Sequence, residues 1–381
     1  MEADVAVIGG GAIGLACAVE LAGMGAGEVV VLEALASVGQ ASSSRANGGF
    51  RAQFTAATNV AFSAFSIERF ESLERRTGLL SMKQNGYLLI TGTEDGERSL
   101  IAARDLQVSM GVTTELLTTA QVEALAPFVR SEGLRAATFH PRDGFLDPAG
   151  LVAALEAEAR SAGVKLMTGA RVEEILREGG DSTLRHARGE VRVGIVVNAA
   201  GADAGRVAAL AGSSVPVDPV RRNLALFLDP AANAGAPMCV DLDTGVLVRP
   251  EGSSGWIAAY SDPLDPPGRD ISLDPRFLEQ LAERAPHRFP FLTDLPVDPA
   301  RCWAGLYPET PDHHAIVGFD PAVPGLVHCA GFGGHGIMHA PAAGRAVAEL
   351  VTTGSCETFD LRPLRPSRFA EGDLVAETSV F

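Results

Sequence analysis

The sequence predicts an α/β protein in which a parallel, helix-covered sheet is joined to a second domain built on a mostly antiparallel sheet. Three observations predict it. A short apolar run at residues 3–8 passes through Gly9-Gly10-Gly11-Ala12-Ile13-Gly14 into a helical pattern. A second strand, glycine-rich turn and helix occupy residues 326–351. Between these ends, alternating strand and helix segments bracket two stretches dominated by strand signals and Pro or Gly turns. With 381 residues the chain exceeds the length at which one hydrophobic core stops growing, so two domains are expected.

The first unit reads as the opening of a Rossmann-type fold. Residues 12–24 carry the helix and residues 28–33 (EVVVLE) a second strand. Gly9 makes the tight turn, Gly11 lets the backbone approach a pyrophosphate, and Gly14 lets the helix lie close to the sheet. The helix start, at Ala12 and Ile13, offers free N–H groups and partial positive charge to phosphates. Glu33 lies nineteen residues after Gly14, where an acid can bind a ribose hydroxyl. A dinucleotide site is predicted, and NAD and FAD both satisfy it.

Residues 42–54 (SSSRANGGFRAQF) then break the pattern. They bring Ser42, Ser43, Ser44, Gly48 and Gly49 together with two arginines, Arg45 and Arg51, in a chain of net charge −16. Helical spacing returns at 56–77, a strand at 86–91 and a helix at 97–110. A turn at 143–148 precedes a helix at 149–162, and strands follow at 164–168 and 172–176. One strand over 191–198 enters Ala199-Ala200-Gly201 and a helix over 203–210. Strand signals dominate 215–260. A helix at 276–285 and strands at 304–307, 315–318 and 326–330 lead to the last helix. The pattern predicts a discontinuous nucleotide domain over 1–80, 148–212 and 312–381, with a substrate domain over 81–147 and 213–311.

Composition narrows the function. The negative charge argues against general nucleic-acid binding and adhesion to anionic lipid. Five cysteines without CxxC spacing argue against a disulfide framework or zinc site, and a reducing, cytoplasmic location is expected, with peripheral attachment to a membrane compatible. The apolar run 5–26 lacks a basic leader and contains Glu20 and several glycines, so it is expected as a buried strand-turn-helix and not a membrane span. His335 and His339 share a helix face, but no carboxylate or cysteine completes a ligand set and no metal is expected.

At the other end, Gly331, Gly333, Gly334 and Gly336 fall within six positions, which lets backbone pass close to a flat ligand. The N-terminus of the helix that follows, near Ile337 and Met338, can face the pyrimidine end of an isoalloxazine, where charge collects on reduction. Pro341 is expected in the first turns, where a missing N–H costs least.

Taken in order, Gly9–Gly14, Glu33, Asn198–Gly201, residues 305–312 (GLYPETPD) and Gly331–Gly344 resemble the D-amino-acid oxidase superfamily of FAD enzymes over nearly the whole chain. Residues 48–54 and 333–339 look most like sarcosine oxidase beta subunits and L-proline dehydrogenase beta subunits. The resemblance implies FAD contacts at the residues named above and at Val172, Ala200, Gly201 and Gly305. It implies that Arg51 holds a substrate carboxylate, for which a planar, permanently charged guanidinium is suited. D-amino-acid and glycine oxidases carry an arginine where this chain has Tyr307, which argues against those two activities. Arg45 is assigned to FAD phosphate or flavin. His335 stays open between catalytic base and flavin contact, and Tyr260 and Tyr307 between cavity and core.

The implied reaction is hydride transfer to flavin N5 from the carbon beside nitrogen in a small amino acid, with secondary amines such as proline or sarcosine favoured. The alternatives are oxidation of a 2-hydroxy acid, with His335 as base, and an electron-relay subunit of a hetero-oligomer. The strand at 256–260 has no lysine where monomeric sarcosine oxidase has its oxygen-activating lysine. A dehydrogenase is therefore expected, passing electrons to a quinone or partner subunit in preference to oxygen. Some members of the superfamily attach FAD through a cysteine at the place of Gly305, or a histidine in the early loop. Neither residue is present, so FAD is expected to be noncovalent. Acid precipitation should release the flavin into the supernatant; flavin retained in the pellet would overturn this.

Overall fold

The computed structural model describes residues 1–262 and 264–378. Six strands form the first sheet, in the order Ile316–Phe319, Leu326–Ala330, Ile195–Asn198, Val5–Ile8, Val29–Leu32 and Lys165–Met167. Every pairing is parallel except Ile316–Phe319 with Leu326–Ala330. The central strands read VAVI and VVVL because both faces of the sheet are covered. Val5, Val7, Val29 and Val31 meet helices Ala12–Gly23 and Gly336–Thr353, while Ala6, Ile8, Val30 and Leu32 enter a separate core on the opposite face. That second core includes the small antiparallel sheet of Val172–Glu178, Asp181–His186 and Gly189–Val193.

Two glycines of the first turn are dictated by backbone. Gly9 has φ +109°, and a Cβ there would lie 2.4 Å from the Ala199 carbonyl oxygen. A Cβ at Gly14 would lie 1.9 Å from the oxygen of Gly9. Any side chain at either position forces the turn open.

The second sheet has eight strands, in the order Trp303–Glu309, Asp218–Leu228, Gly255–Ala259, Leu247–Pro250, Met238–Asp241, Tyr87–Thr91, Ala136–His140 and Glu115–Leu116. Only Met238–Asp241 with Tyr87–Thr91 is parallel. One face carries Tyr87, Leu224, Met238, Leu247, Ile257 and Ala259. The other packs Leu88, Ala225, Trp256, Ala258 and Tyr260 on helix Phe277–Arg284.

Several elements differ from the sequence reading. The single strand expected over 191–198 is two strands in two sheets, separated by Gly194: Val193 pairs with Ser182, and Ile195 with Val5. The helix expected from Glu97 begins at Glu94, because the Thr93 side chain accepts the Gly96 N–H at 3.2 Å and caps it. Pro341 sits inside helix Gly336–Thr353, beyond its first turn. It removes an interior bond, and the neighbouring Ala342 N–H donates to Ser66 Oγ of helix Ala57–Thr77 at 3.3 Å. Among the described residues no helix is long and apolar enough to cross a membrane.

The segment after the last long helix is anchored by Arg368, which is fully buried. Its Nε and Nη2 donate to the two carboxylate oxygens of Asp312 at 2.7 and 3.0 Å, and the remaining donors reach the carbonyls of His314, Leu364 and Arg365. Burial raises the Asp312 pKa, but the bonds and charge of Arg368 outweigh it and hold the carboxyl below its usual value. A depressed acid stabilises the fold above its unfolded pKa and loses that contribution as pH falls through the folded one. Arg368→Met should therefore cost about 3–5 kcal/mol at neutral pH. The cost should shrink below about pH 4, as measured by denaturant unfolding across pH.

Candidate active site

Where the two sheets meet, a cleft of about 1190 Å³ opens. Its floor is the first glycine turn (Gly11, Ala12, Ile13) and the last one (Gly331 to Met338). Its roof is the apolar face of the second sheet, with Tyr87, Leu224, Met238, Leu247 and Tyr307. One side is the loop from Ser42 to Arg51.

Both helices that start in the floor have N-cap residues whose side chains make no cap bond, and both lack acids in their first turn. Two positive helix ends with unused N–H groups therefore converge on one cleft, the arrangement an anionic, flat dinucleotide requires. Ser43 Oγ accepts the Ala12 N–H at 3.0 Å and stands beside Gly11. Glu33 is buried behind the turn, and its two oxygens accept from Gly10 N–H at 2.8 Å and Leu35 N–H at 2.7 Å. Each oxygen keeps a lone pair for a ribose hydroxyl. A Cβ on Gly334 would lie 2.6 Å from the Tyr307 ring, so that backbone and ring close one end of the cleft tightly.

The serine-rich loop is stitched to strand Trp303–Glu309. Ser42 Oγ donates to the Leu306 carbonyl at 2.8 Å, Arg45 Nη1 to the Ala304 carbonyl at 3.0 Å, and Trp303 Nε1 to the Arg45 carbonyl at 2.9 Å. Ser44 turns back on Ala41. Beyond the glycines, Arg51 is almost fully buried yet lines the cleft. Its guanidinium lies 3.9 Å over the Phe54 ring and donates from Nη1 to the Gln53 carbonyl. Desolvation lowers its pKa, opposed by Tyr87, Glu377 and Asp143. Gln53 ties this loop to the sheet through the Tyr87 carbonyl, Asp143 and Thr138. Asp143 also accepts the Ala52 N–H, and burial pushes its carboxyl up to about 7.

His335 lines the cleft with its ring edge-on to Phe54, at 4.9 Å between centroids. Burial first, and Arg51 second, hold its pKa well below the usual histidine value, so the imidazole is neutral at physiological pH. His339 lies behind it, with Nε2 3.0 Å from Ser63 Oγ, and does not reach the cleft.

The cleft thus brings together Gly11, Ala12, Ile13, Ser42, Ser43, Arg45, Gly48, Gly49, Arg51, Gly201, Gly305, Tyr307 and the turn Gly331, Gly333, Gly334, His335, Gly336, Ile337 and Met338. Gly9, Gly14, Glu33, Ser44 and Ala200 support it from outside the lining. Val172 is packed in the core behind the first sheet. Tyr260 is a correction: side chains alternate along a strand, so Ile257 and Ala259 face the cleft side and Tyr260 the far side. There it stacks on Phe277 and donates to Gln280. Sequence reasoning missed Tyr87, Met238 and Arg222. The one available signal was a charge, Arg222, in the same alternating register as Leu224 and Leu226.

Comparison with known proteins agrees with this geometry. Residues 4–350 match the family model described as FAD dependent oxidoreductase (DAO). The chain is 30% identical to "FAD-dependent oxidoreductase domain-containing protein 1" of Bos taurus, over 99% of this chain and 86% of that protein. The crystal structure of L-proline dehydrogenase from P. horikoshii superposes with TM-score 0.92 at 30% identity, covering 98% of this chain and 99% of that one. That of glycine oxidase from Geobacillus kaustophilus gives TM-score 0.83 at 28% identity, covering 96% and 99%. A cleft floored by two glycine turns, matched along its length in this way, identifies an oxidoreductase whose cofactor is FAD, and the chain belongs to the DAO family of FAD-dependent oxidoreductases.

Proposed function

We propose that this protein oxidises a small amino acid at the carbon beside nitrogen, with secondary amines favoured. The observation that carries the reading is a buried guanidinium, Arg51, lining a largely apolar cleft between the two glycine turns. Relatives whose names include L-proline dehydrogenase, glycine oxidase and sarcosine dehydrogenase support it. The segments 1–80, 148–212 and 312–381 form the FAD-binding unit in this reading, and 81–147 with 213–311 the substrate unit.

Bound FAD supplies a hydride acceptor. Gly11, Ala12 and Ile13 hold its pyrophosphate, Glu33 its adenosine ribose, and Gly331–Met338 with Gly48 and Gly49 enclose the isoalloxazine. Arg51 receives the substrate carboxylate and so fixes the reacting C–H at near-attack distance. The buried hydroxyls of Tyr87 and Tyr307, both shifted up by desolvation, stay protonated beside it. His335, held neutral, adds no positive charge beside the amine, which must itself be neutral to release hydride. The roof side chains exclude water from that step.

Anaerobic flavin bleaching against a panel of amino acids and 2-hydroxy acids tests the reading. Bleaching by amino acids is expected, and bleaching by hydroxy acids alone would overturn it. Arg51→Ala should raise KM by roughly 30-fold or more while flavin content is kept; an unchanged KM would remove Arg51 from the role.

The electrons leave to a quinone or partner protein. In support, the chain has two lysines, Lys83 and Lys165, and neither lines the cleft. Reduced enzyme should persist in air-saturated buffer and reoxidise quickly with an artificial quinone, and rapid reoxidation by air alone would contradict this.

A further inference from the structure

Arg222 is a second guanidinium in the cleft wall, on strand Asp218–Leu228, with only 12% of its side chain exposed. It stands directly opposite Gly305 in the ladder, where the neighbouring strand offers no side chain of its own and the Arg45 side chain packs instead, its Cβ 3.1 Å from where a Gly305 Cβ would lie. Its centre lies 5.7 Å from the Tyr307 ring. Its hydrogen bonds are one-sided. Nη1 donates to Asp265 Oδ2 at 3.2 Å and to the Arg221 carbonyl at 3.1 Å, while among the described residues the buried Nε has no acceptor. Nε belongs to the Nε–Nη2 edge, the one that takes a carboxylate through two parallel bonds, and among the described residues it is unpartnered. An unpartnered buried donor is costly, and in a binding cleft the ligand is the group that can satisfy it.

We propose that Arg222 selects a substrate with a second acid group, so that the enzyme's amino acid is an amino dicarboxylate. The inference rests on the amino-acid reading above, in which Arg51 takes the carboxylate next to the reacting carbon. Arg222 takes the distal carboxylate. Asp265 balances its charge from the Nη1 side whether or not substrate is present. One guanidinium at each end of the substrate fixes its length as well as its charge.

The wild-type holoenzyme distinguishes this from failure of the broader reading. Flavin bleaching is compared for N-methylglycine, proline, N-methylaspartate, N-methylglutamate and iminodiacetate. Preference for the diacids in kcat/KM supports the inference. Equal or better turnover of the monoacids overturns it and leaves the amino-acid reading standing, and bleaching by none of them overturns both. Two variants give an independent check. Arg222→Met should lower the diacid-to-monoacid ratio of kcat/KM by roughly 30-fold or more. Asp265→Asn, which leaves the guanidinium without its counter-charge, should lower KM for diacids. If both variants change the ratio in the same direction, the pair is structural and the assignment is wrong.

Discussion

The close crossing of the first helix, Ala12–Gly23, with the last long one, Gly336–Thr353, is the constraint on which the active site depends. A Cβ at Gly344 would lie 2.5 Å from the Ala16 carbonyl oxygen, so the two backbones touch with nothing between them. Ala18, Ala342, Ala343 and Ala346 complete a contact of small residues over the parallel sheet. Because the helices lie that close, their N-termini open into the same cleft from segments more than three hundred residues apart. Neither end is capped by the side chain of its own N-cap residue, which a globular protein tolerates where a ligand completes the end. Moving the helices apart by one methyl group would separate the two halves of the cofactor site.

The second constraint is electrostatic. Arginine carries nearly all the positive charge of an acidic chain, and the buried and half-buried arginines have specific work. Arg368 uses all its donors on Asp312 and three carbonyls and is purely structural. Arg45 pins the serine loop to strand Trp303–Glu309. Arg51 is stacked on Phe54, and its loop is fixed through Gln53 and Asp143 to the roof sheet. The stiffness of that loop comes from side chains on three other segments, which is what positioning a carboxylate within hydrogen-bond distance demands.

Much of this was legible in the residues. The turn Gly9–Gly14 and the strands around it were readable because glycine placement and continuous apolar runs are local consequences of a covered parallel sheet. The cap at Thr93 is readable in principle, but Gly96 in the first turn weakens the helical pattern. The split of 191–198 was not readable, because strands of two different sheets use the same β-branched residues. Tyr260 was misplaced by a period-two ambiguity: the alternation along Trp256 to Tyr260 was visible, but not which half faced the ligand.

The sequence by itself determined the cofactor class, the two glycine turns and the loop that carries Arg51, because each is encoded in a short contiguous stretch with a steric or charge requirement. Only the tertiary structure decided which side chains meet. Gly305 opposite Arg222, Tyr307 against Gly334, and Gln53 beneath Tyr87 are pairings between strands and loops distant in the chain. Sheet register and helix crossing set those pairings, and neither leaves a mark in any single segment.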